Sequence, residues 1–188
     1  MAQHVCPWWL GYVHLLPFRR LFEPPARIVG PHLRAGMCVL EVGCGMGYFT
    51  LPMAAAVGAE GKVVALDVQP RMLAGLARRA RRAALADRID ARLCAPDSLG
   101  VEDLAGRIGF ALAYFVVHEV SDPDRLFAEL RAALRSDARL LVVEPPVHVT
   151  REAFAATLAA AARHGLRPAA APDVAGRGRH TVLLEPTV

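Results

Sequence analysis

Paired cysteines, lysine and long apolar runs are all scarce in this sequence, and each scarcity excludes a class of protein. The four cysteines are widely spaced and form no Cys-x-x-Cys pair, so neither a zinc site nor a disulfide framework is indicated. No apolar run reaches the roughly 18 residues that a transmembrane helix needs. The N-terminal residues lack the basic start and long apolar stretch of a secretory signal, and we therefore expect a cytoplasmic location.

Lysine is almost absent, because Lys62 is the only one among the 22 basic residues. The formal net charge of +4 permits an acidic partner without requiring one. Arginines without interleaved aromatic residues are typical of a solvated helix face, with an RNA or anionic-membrane footprint as the open alternative. We do not expect nucleic acid to be the partner. These arginines lie on one predicted helix: Arg71, Arg78, Arg79, Arg81 and Arg82.

The chain is long and apolar enough for one globular domain. Its 188 residues are 54% hydrophobic and 21% charged, and a domain usually holds about 100–200 residues. We predict an N-terminal extension over residues 1–36 and a ligand-binding domain over residues 37–188. The extension is rich in Trp, Pro and Arg, and three roles stay open for it: a lid over a cleft, a segment docked on the core, or a self-association surface that would make a homodimer.

From Met37 onward, short apolar runs alternate with helical patterns. Such βα units predict an α/β fold of Rossmann-like, doubly wound type, with a mainly parallel seven-stranded sheet, helices on both faces and a short N-terminal helical extension. A short helix within 18–34 is partly broken by Pro24 and Pro25. The predicted strands span 37–42, 62–67, 89–94, 108–117, 139–144, 166–171 and 179–185, the last two joined by a turn at 176–178. The predicted helices span 47–57, 70–84, 99–105, 122–135 and 150–163, the last with Thr150 as N-cap and Gly165 as its end.

The sharpest motif is Glu41-Val-Gly43-Cys-Gly45-Met-Gly47, which follows the first predicted strand and opens a helix. Glycines there let the backbone turn tightly and approach a ligand without a Cβ in the way. Asp67 ends the second strand about 20 residues later, where a carboxylate can accept hydrogen bonds from both ribose hydroxyls. The pair of features indicates a nucleotide site at the carboxyl ends of the strands.

Two nucleotide classes share this arrangement. The dinucleotide motif is Gly-x-Gly-x-x-Gly, whereas this loop has Gly-x-Gly-x-Gly spacing. A carboxylate at Glu41 would repel a pyrophosphate, but it suits a ligand that carries an ammonium and a sulfonium. The loop therefore favours S-adenosylmethionine (SAM), with demethylated S-adenosylhomocysteine as product. An NAD-type oxidoreductase and a bare tight turn remain the alternatives.

These motifs resemble those of the class I SAM-dependent methyltransferases. The resemblance lies in Val39–Thr50 and Val64–Val68, and more loosely in 117–123 and 140–145; it covers roughly residues 35–185. It is closest to the small branch that includes ubiquinone, menaquinone and arsenite methyltransferases. The resemblance implies a SAM-dependent methyltransferase acting on a small-molecule acceptor.

The resemblance also implies roles for the donor-site residues. Glu41 would lie near the amino group of the donor, and Asp67 would hold the ribose while Val68 packs on the adenine. The family often has an Asp after the third strand that reaches the adenine amine. That position is Ala95 here, so Asp97 or nearby backbone groups would take its place. The methionine portion would be admitted by Gly43, Gly45 and Gly47.

Methyl transfer is an in-line displacement, so positioning supplies much of the acceleration and no fixed triad is required. Candidates on the acceptor side lie where the fourth strand meets the cleft: Tyr114, Phe115, His118 and Glu119. His118 would remove a proton from a hydroxyl or thiol acceptor, since imidazole titrates near neutrality. The alternative is that His118 or Glu119 caps the following turn. Glu144, before two prolines, either shapes the pocket or belongs to a rigid turn.

The acceptor itself is not indicated by any motif. Arsenite methylation would need gathered thiols, and Cys44 and Cys38 are more typical of small core residues. The Asn/Asp-Pro-Pro-aromatic motif of adenine methyltransferases is missing after the fourth strand. No metal site is predicted. A non-catalytic SAM-binding regulatory module is the remaining alternative.

Overall fold

A computed structural model gives the three-dimensional arrangement of the chain. The structure describes Pro7, Trp9, Leu15, residues 19–169 and residues 180–187. The predicted turn at 176–178 and most of the Trp- and Pro-rich segment before residue 19 lie outside the described residues. Within the described ranges, no helix is both long and apolar enough to cross a bilayer.

Seven strands make up the sheet. They are β1 (Cys38–Val42), β2 (Lys62–Asp67), β3 (Ile89–Leu93), β4 (Ile108–Tyr114), β5 (Leu134–Glu144), β6 (Leu166–Pro168) and β7 (His180–Pro186). Their order is β3-β2-β1-β4-β5-β7-β6. The pairs β1–β2, β2–β3 and β4–β5 are parallel, whereas β7 runs antiparallel to β5 and to β6. The predicted α/β fold with a mainly parallel seven-stranded sheet is confirmed.

Six α-helices lie in the described part of the chain. They are α1 (Arg19–Phe22), α2 (Pro25–Ile28), α3 (Thr50–Val57), α4 (Pro70–Arg82), α5 (Pro123–Ala133) and α6 (Arg151–Arg163). Helices α4 and α5 begin with proline, whose fixed φ suits the first helical position. The Thr150 hydroxyl accepts a hydrogen bond from the Ala153 amide at 3.2 Å, which confirms the predicted N-cap of α6.

The chain divides into two compact units, one made of residues 4–94 and the other largely of residues 95–188. In the first unit, β1 and β2 are buried on both faces, as parallel strands covered by helices should be. Their register pairs Glu41 with Ala65, and each strand ends in a tight turn just after its last paired residues. The motif glycines and Asp67 therefore belong to the same edge of the same unit.

The second unit has its core between β4, β5 and α5. Phe110, Leu140 and Phe127 are fully buried there. Asp124 of α5 accepts two hydrogen bonds from Arg163 of α6, at 2.9 and 2.7 Å, so a bidentate ion pair ties the two helices together. The arrangement leaves the carboxyl ends of β4 and β5 side by side.

Two predicted elements have the wrong type or length. The helix expected at 99–105 is a single 3₁₀ turn, Glu102–Leu104, because Gly100 and Gly106 adopt positive φ on either side of it. Strand β5 begins at Leu134 rather than 139, and a register shift opposite Ile108 and Phe110 accommodates the extra residues. The first residues of β5 include exposed polar side chains, so the apolar pattern of the sequence does not predict this part of the strand.

The short N-terminal helix is also divided more finely than predicted. Helices α1 and α2 span one turn each, and a 3₁₀ turn at Gly30–His32 follows. Pro24 and Pro25 lack the amide protons that a continuous helix would need, which explains the break.

Candidate functional site

The glycine loop after β1 bends through left-handed backbone at alternate residues. Gly43, Gly45 and Gly47 have φ values of 70°, 53° and 82°. A Cβ on Gly47 would lie 2.4 Å from Leu76 Cδ1, whereas a Cβ on Gly45 would meet no atom within 4 Å. Gly47 is therefore required for packing of the loop on α4, and Gly45 leaves open space beside the backbone.

Asp67 ends β2 beside this loop and is 6% exposed. Its Oδ2 accepts a hydrogen bond from the Gly45 amide at 2.8 Å, and its Oδ1 accepts one from the Gln69 amide at 2.8 Å. Burial raises the pKa of this carboxyl, and the hydrogen bonds from the backbone oppose that effect. The Val68 amide is a third backbone partner of this carboxyl. Since a carboxylate has about four acceptor positions, Asp67 keeps acceptor capacity for a ligand hydroxyl.

Glu41 lies at the end of β1, 3% exposed. The Thr50 hydroxyl donates a hydrogen bond of 2.5 Å to Glu41 Oε2. Burial raises the pKa of Glu41 to about 8, an effect that the Thr50 hydrogen bond and the charge of Arg19 oppose and that Asp67 reinforces. With this pKa the side chain is largely protonated at neutral pH without a ligand, and a ligand cation beside it would favour the charged form.

Helix α4 holds the glycine loop from behind. The Arg79 guanidinium donates a hydrogen bond to the Met46 carbonyl between the second and third glycines. The Met46 side chain lies against Gly75, where a Cβ would come within 2.8 Å of Met46 Cγ. The arginine-rich sequence of α4 predicts a solvated face for Arg79. Its spacing of three from Leu76 and seven from Met72, both buried, is the pattern that indicates the inner face of α4.

The N-terminal helices contact the same loop. The Tyr48 hydroxyl donates a hydrogen bond of 2.7 Å to the Glu23 carbonyl. The Arg19 guanidinium lies 4.1 Å from the centroid of the Tyr48 ring and forms an ion pair with Glu23 at 2.5 Å. Residues 19–23 are thus fixed beside the glycine loop. The proposed boundary at residue 36 stays a prediction, as does the lid role of the segment before residue 19.

A second cluster forms where β4 and β5 end. His118 Nδ1 and Glu144 Oε2 lie 2.5 Å apart, and the Val117 amide donates to Glu144 Oε1 at 2.9 Å. Glu144 is 1% exposed, whereas the His118 side chain is 23% exposed. The hydrogen bond to Glu144 raises the pKa of His118. A histidine oriented by a buried carboxylate is an arrangement suited to proton transfer.

The sequence predicts His118 as a catalytic candidate, but it does not predict that Glu144 is its partner. Helix α5 is capped by Asp122, which accepts from the Arg125 amide at 3.0 Å, while His118 is paired with Glu144. From the sequence alone, Glu144 is predicted either to belong to a rigid turn or to shape the pocket. Its place at the end of the strand next to β4, in parallel register, is the signal that would have paired it with His118.

The remaining predicted residues lie in the described part of the chain as follows. Tyr114 is 8% exposed, and its ring centroid is 4.4 Å from that of Phe115. Val68 is half-buried directly after Asp67. The Asp97 carboxylate is exposed and lies 3.8 Å from Arg125, which leaves its predicted contact with adenine a prediction. No group of three His, Cys, Asp or Glu side chains that could hold a metal occurs in the described ranges.

Comparisons with known proteins agree with this geometry. The family model described as a methyltransferase domain matches residues 39–137, more than half of the chain. An uncharacterized 37.1 kDa protein from a Streptomyces fradiae transposon is 32% identical over 112 residues, covering 60% of this chain and 31% of that protein. Protein-L-isoaspartate O-methyltransferase 1 of Arabidopsis thaliana is 32% identical over 68 residues, covering 36% and 30%. The matched part thus spans about a third of the length of each relative.

The fold is also that of a solved structure. A SAM-dependent methyltransferase from Aquifex aeolicus superimposes with a TM-score of 0.84, covering 98% of this chain and 100% of that one at 20% identity. That likeness confirms the fold, and the matched family model begins at the strand that carries Glu41. The chain therefore belongs to the methyltransferase-domain family.

Proposed function

We propose that this protein transfers the methyl group of SAM to a small-molecule acceptor. The observation that carries the proposal is the geometry of the glycine loop: Asp67 keeps acceptor capacity beside Gly45, where the backbone leaves open space. Glu41 lies in electrostatic range of Asp67. Two carboxyls around a bend with glycine at alternate positions suit an adenosine that carries positive charge.

Each donor-site residue has a chemical task in this proposal. Asp67 accepts hydrogen bonds from the ribose hydroxyls, and Glu41 compensates the ammonium. Val68 packs against the adenine, and Asp97 contacts its amine. The methionine portion lies along the backbone of Gly43, Gly45 and Gly47.

On the acceptor side, His118 takes the proton that a hydroxyl acceptor loses, and Tyr114 lines the acceptor position. When bound, SAM supplies a methyl carbon made electrophilic by its sulfonium. The residues of the chain position the acceptor in line and exclude water, which is how such a displacement gains most of its rate.

The burial of Cys44 favours an organic acceptor over a metalloid. Burial raises the pKa of the Cys44 thiol well above its usual value, so this cysteine does not supply a thiolate for a metalloid. We therefore propose an organic acceptor of the kind used by the quinone-methylating branch rather than arsenite. Residues 114–118, Tyr-Phe-Val-Val-His, lack the pattern that holds a flipped adenine, which argues against a nucleic acid.

Titration calorimetry with SAM tests the donor assignment, with Asp67→Asn as the variant and Asp87→Asn, an exposed aspartate of the same unit, as the matched control. We expect binding in the wild type and the control and at least about tenfold weaker binding in the variant, since a lost hydrogen bond to a charged group costs about 1.5–3 kcal/mol. Absence of heat at millimolar SAM, together with binding of NADH, would reverse the assignment.

Catalysis needs a separate test. SAM labelled at its methyl group is incubated with pools of phenols, aliphatic alcohols and thiols, and label transfer is counted. Transfer to one pool identifies the acceptor class. SAM binding without any transfer would instead support a non-catalytic SAM-binding module.

A further inference from the structure

Glu144 is a buried carboxylate that the glycine loop does not use. Within its own unit it accepts two hydrogen bonds, one at each oxygen: the Val117 amide donates to Oε1, and His118 Nδ1 lies at Oε2. A buried charge is stable only when it is paired and hydrogen-bonded, and this carboxylate is both. Its two partners are consecutive residues of one 3₁₀ turn, Val117–Glu119. Glu144 thus fixes the backbone and the ring of the same turn.

We propose that Glu144 is a positioning residue that holds His118 with its proton on Nδ1 and leaves Nε2 to accept the proton of a hydroxyl acceptor. A carboxylate can only accept hydrogen bonds, so the imidazole nitrogen facing it must be the donor. The neutral ring then has its lone pair on Nε2. This inference rests on the proposed methyl transfer and adds the residue that makes His118 a base at a defined atom.

The step balances without any further reactant. An oxygen lone pair of the acceptor forms a bond to the methyl carbon as the carbon–sulfur bond breaks, and that electron pair stays on sulfur to give the thioether product. The hydroxyl proton passes to His118 Nε2 and then to water. The positive charge of the resulting imidazolium is stabilised by Glu144 at 2.5 Å.

The surroundings restrict the ring further. His148 stacks on His118 with a centroid distance of 6.0 Å and an interplanar angle of 10°. Phe115, three residues earlier, has a φ of 58°, a conformation that non-glycine residues adopt at a cost and that often occurs at functional sites. Among the residues that the structure describes, the charged and titratable groups that act on His118 include Glu144, Glu119 and His148. Of these three, Glu144 is the one hydrogen-bonded to the ring.

Substitution Glu144→Gln should change the tautomer of the neutral His118 ring, because an amide can donate a hydrogen bond where a carboxylate can only accept one. The amide oxygen must face the Val117 N–H, so the amide NH₂ faces His118 Nδ1 and donates to it. The ring then carries its proton on Nε2, the atom that has to accept. Glu144→Asp keeps a carboxylate and therefore keeps the original tautomer.

The test is the ¹⁵N spectrum of His118 in the ligand-free protein at a pH above the raised pKa of His118, where the ring is neutral and the spectrum reports which nitrogen is protonated. We expect Nδ1–H in the wild type and in Glu144→Asp, and Nε2–H in Glu144→Gln. Glu119→Gln is the matched control, because it removes a nearby charge without touching the Glu144 hydrogen bond; it should keep Nδ1–H. The pKa of His118 should fall more in Glu144→Gln than in Glu119→Gln. A wild-type ring protonated at Nε2 would overturn the inference even if the Gln variant failed to fold.

The kinetic consequence is measured with the acceptor that the label screen identifies. In Glu144→Gln and in His118→Asn we expect kcat to fall by about a hundredfold, the usual contribution of a positioned base, while the affinity for SAM stays within twofold by calorimetry. An equal loss of SAM affinity would mean that the donor site itself has been disturbed. If SAM does not bind the wild type, the proposed function fails, whereas a wrong tautomer with intact SAM binding defeats only the role of Glu144.

Discussion

Arg79 reaches from the middle of α4 to the Met46 carbonyl, so the helix holds the glycine loop through the loop's own backbone. The loop also lies against α4 at Gly75, and it offers its Gly45 amide to Asp67. The ligand-facing part of the loop is therefore fixed at two points, by a carboxylate at the Gly45 amide and by a guanidinium at the Met46 carbonyl.

Substitution Arg79→Ala should weaken donor binding more than it weakens the fold. The Met46 carbonyl would lose a charge-assisted partner, and the loop would sample conformations that do not present Gly45 to the ligand. We expect the Kd for SAM to rise about tenfold, equivalent to about 1.4 kcal/mol. Arg82→Ala, on the exposed face of the same helix, should leave SAM binding unchanged. Equal effects of both variants in calorimetry would mean that only the charge of the helix matters.

Gly47 and Gly45 should respond differently to the same substitution. Gly47→Ala adds a Cβ 2.4 Å from the buried Leu76 at a φ of 82°, so overpacking adds to backbone strain. We expect it to lower the free energy of unfolding by about 2–3 kcal/mol. Gly45→Ala meets no atom within 4 Å and should cost only the strain, about 1 kcal/mol.

The variant that is less destabilised, Gly45→Ala, should be the one that binds SAM more weakly. Gly45→Ala fills the space that the donor is proposed to occupy, so its SAM affinity should fall below that of Gly47→Ala at a temperature where both are folded. Urea unfolding and calorimetry on the same samples measure the two properties. A Gly45→Ala protein that binds SAM normally would contradict the proposed ligand position.

The local parts of this site were predictable from the sequence, and the parts that depend on tertiary packing were not. The glycine loop and Asp67 follow directly from two buried strands and their turns, since parallel strands bring their carboxyl ends to one edge. The pairing of His118 with Glu144 joins residues 26 positions apart, and it required knowing that β4 and β5 are neighbours. The protonation of Glu41 depends on complete burial, which no motif encodes.

Glu41 should make the ligand-free protein less stable as pH rises. Its pKa is about 8 in the native state and 4.5 in the reference state, so between these values the native protein binds more protons than the unfolded chain. Stability therefore decreases from about pH 4.5 to about pH 8, by up to about 1.4 kcal/mol per pH unit. Urea unfolding across this range should show a smaller decrease in Glu41→Gln. Some slope should remain, because the pKa of Asp67 is raised as well.

Binding of SAM should deprotonate Glu41 and so release a proton to the solvent. An ammonium placed beside this carboxyl favours its charged form and lowers its pKa, so at pH 6–7 the bound protein should hold close to one proton fewer. The α-amino group of the donor is itself mostly protonated in this range, since its pKa is about 8. Calorimetry in buffers of different ionisation enthalpy measures the released proton directly. S-adenosylhomocysteine keeps the ammonium but lacks the sulfonium, so it should release the same proton if the amino group is what faces Glu41. Release with SAM alone would assign the sulfonium to that position instead, and the same release in Glu41→Gln would exclude Glu41 as its source.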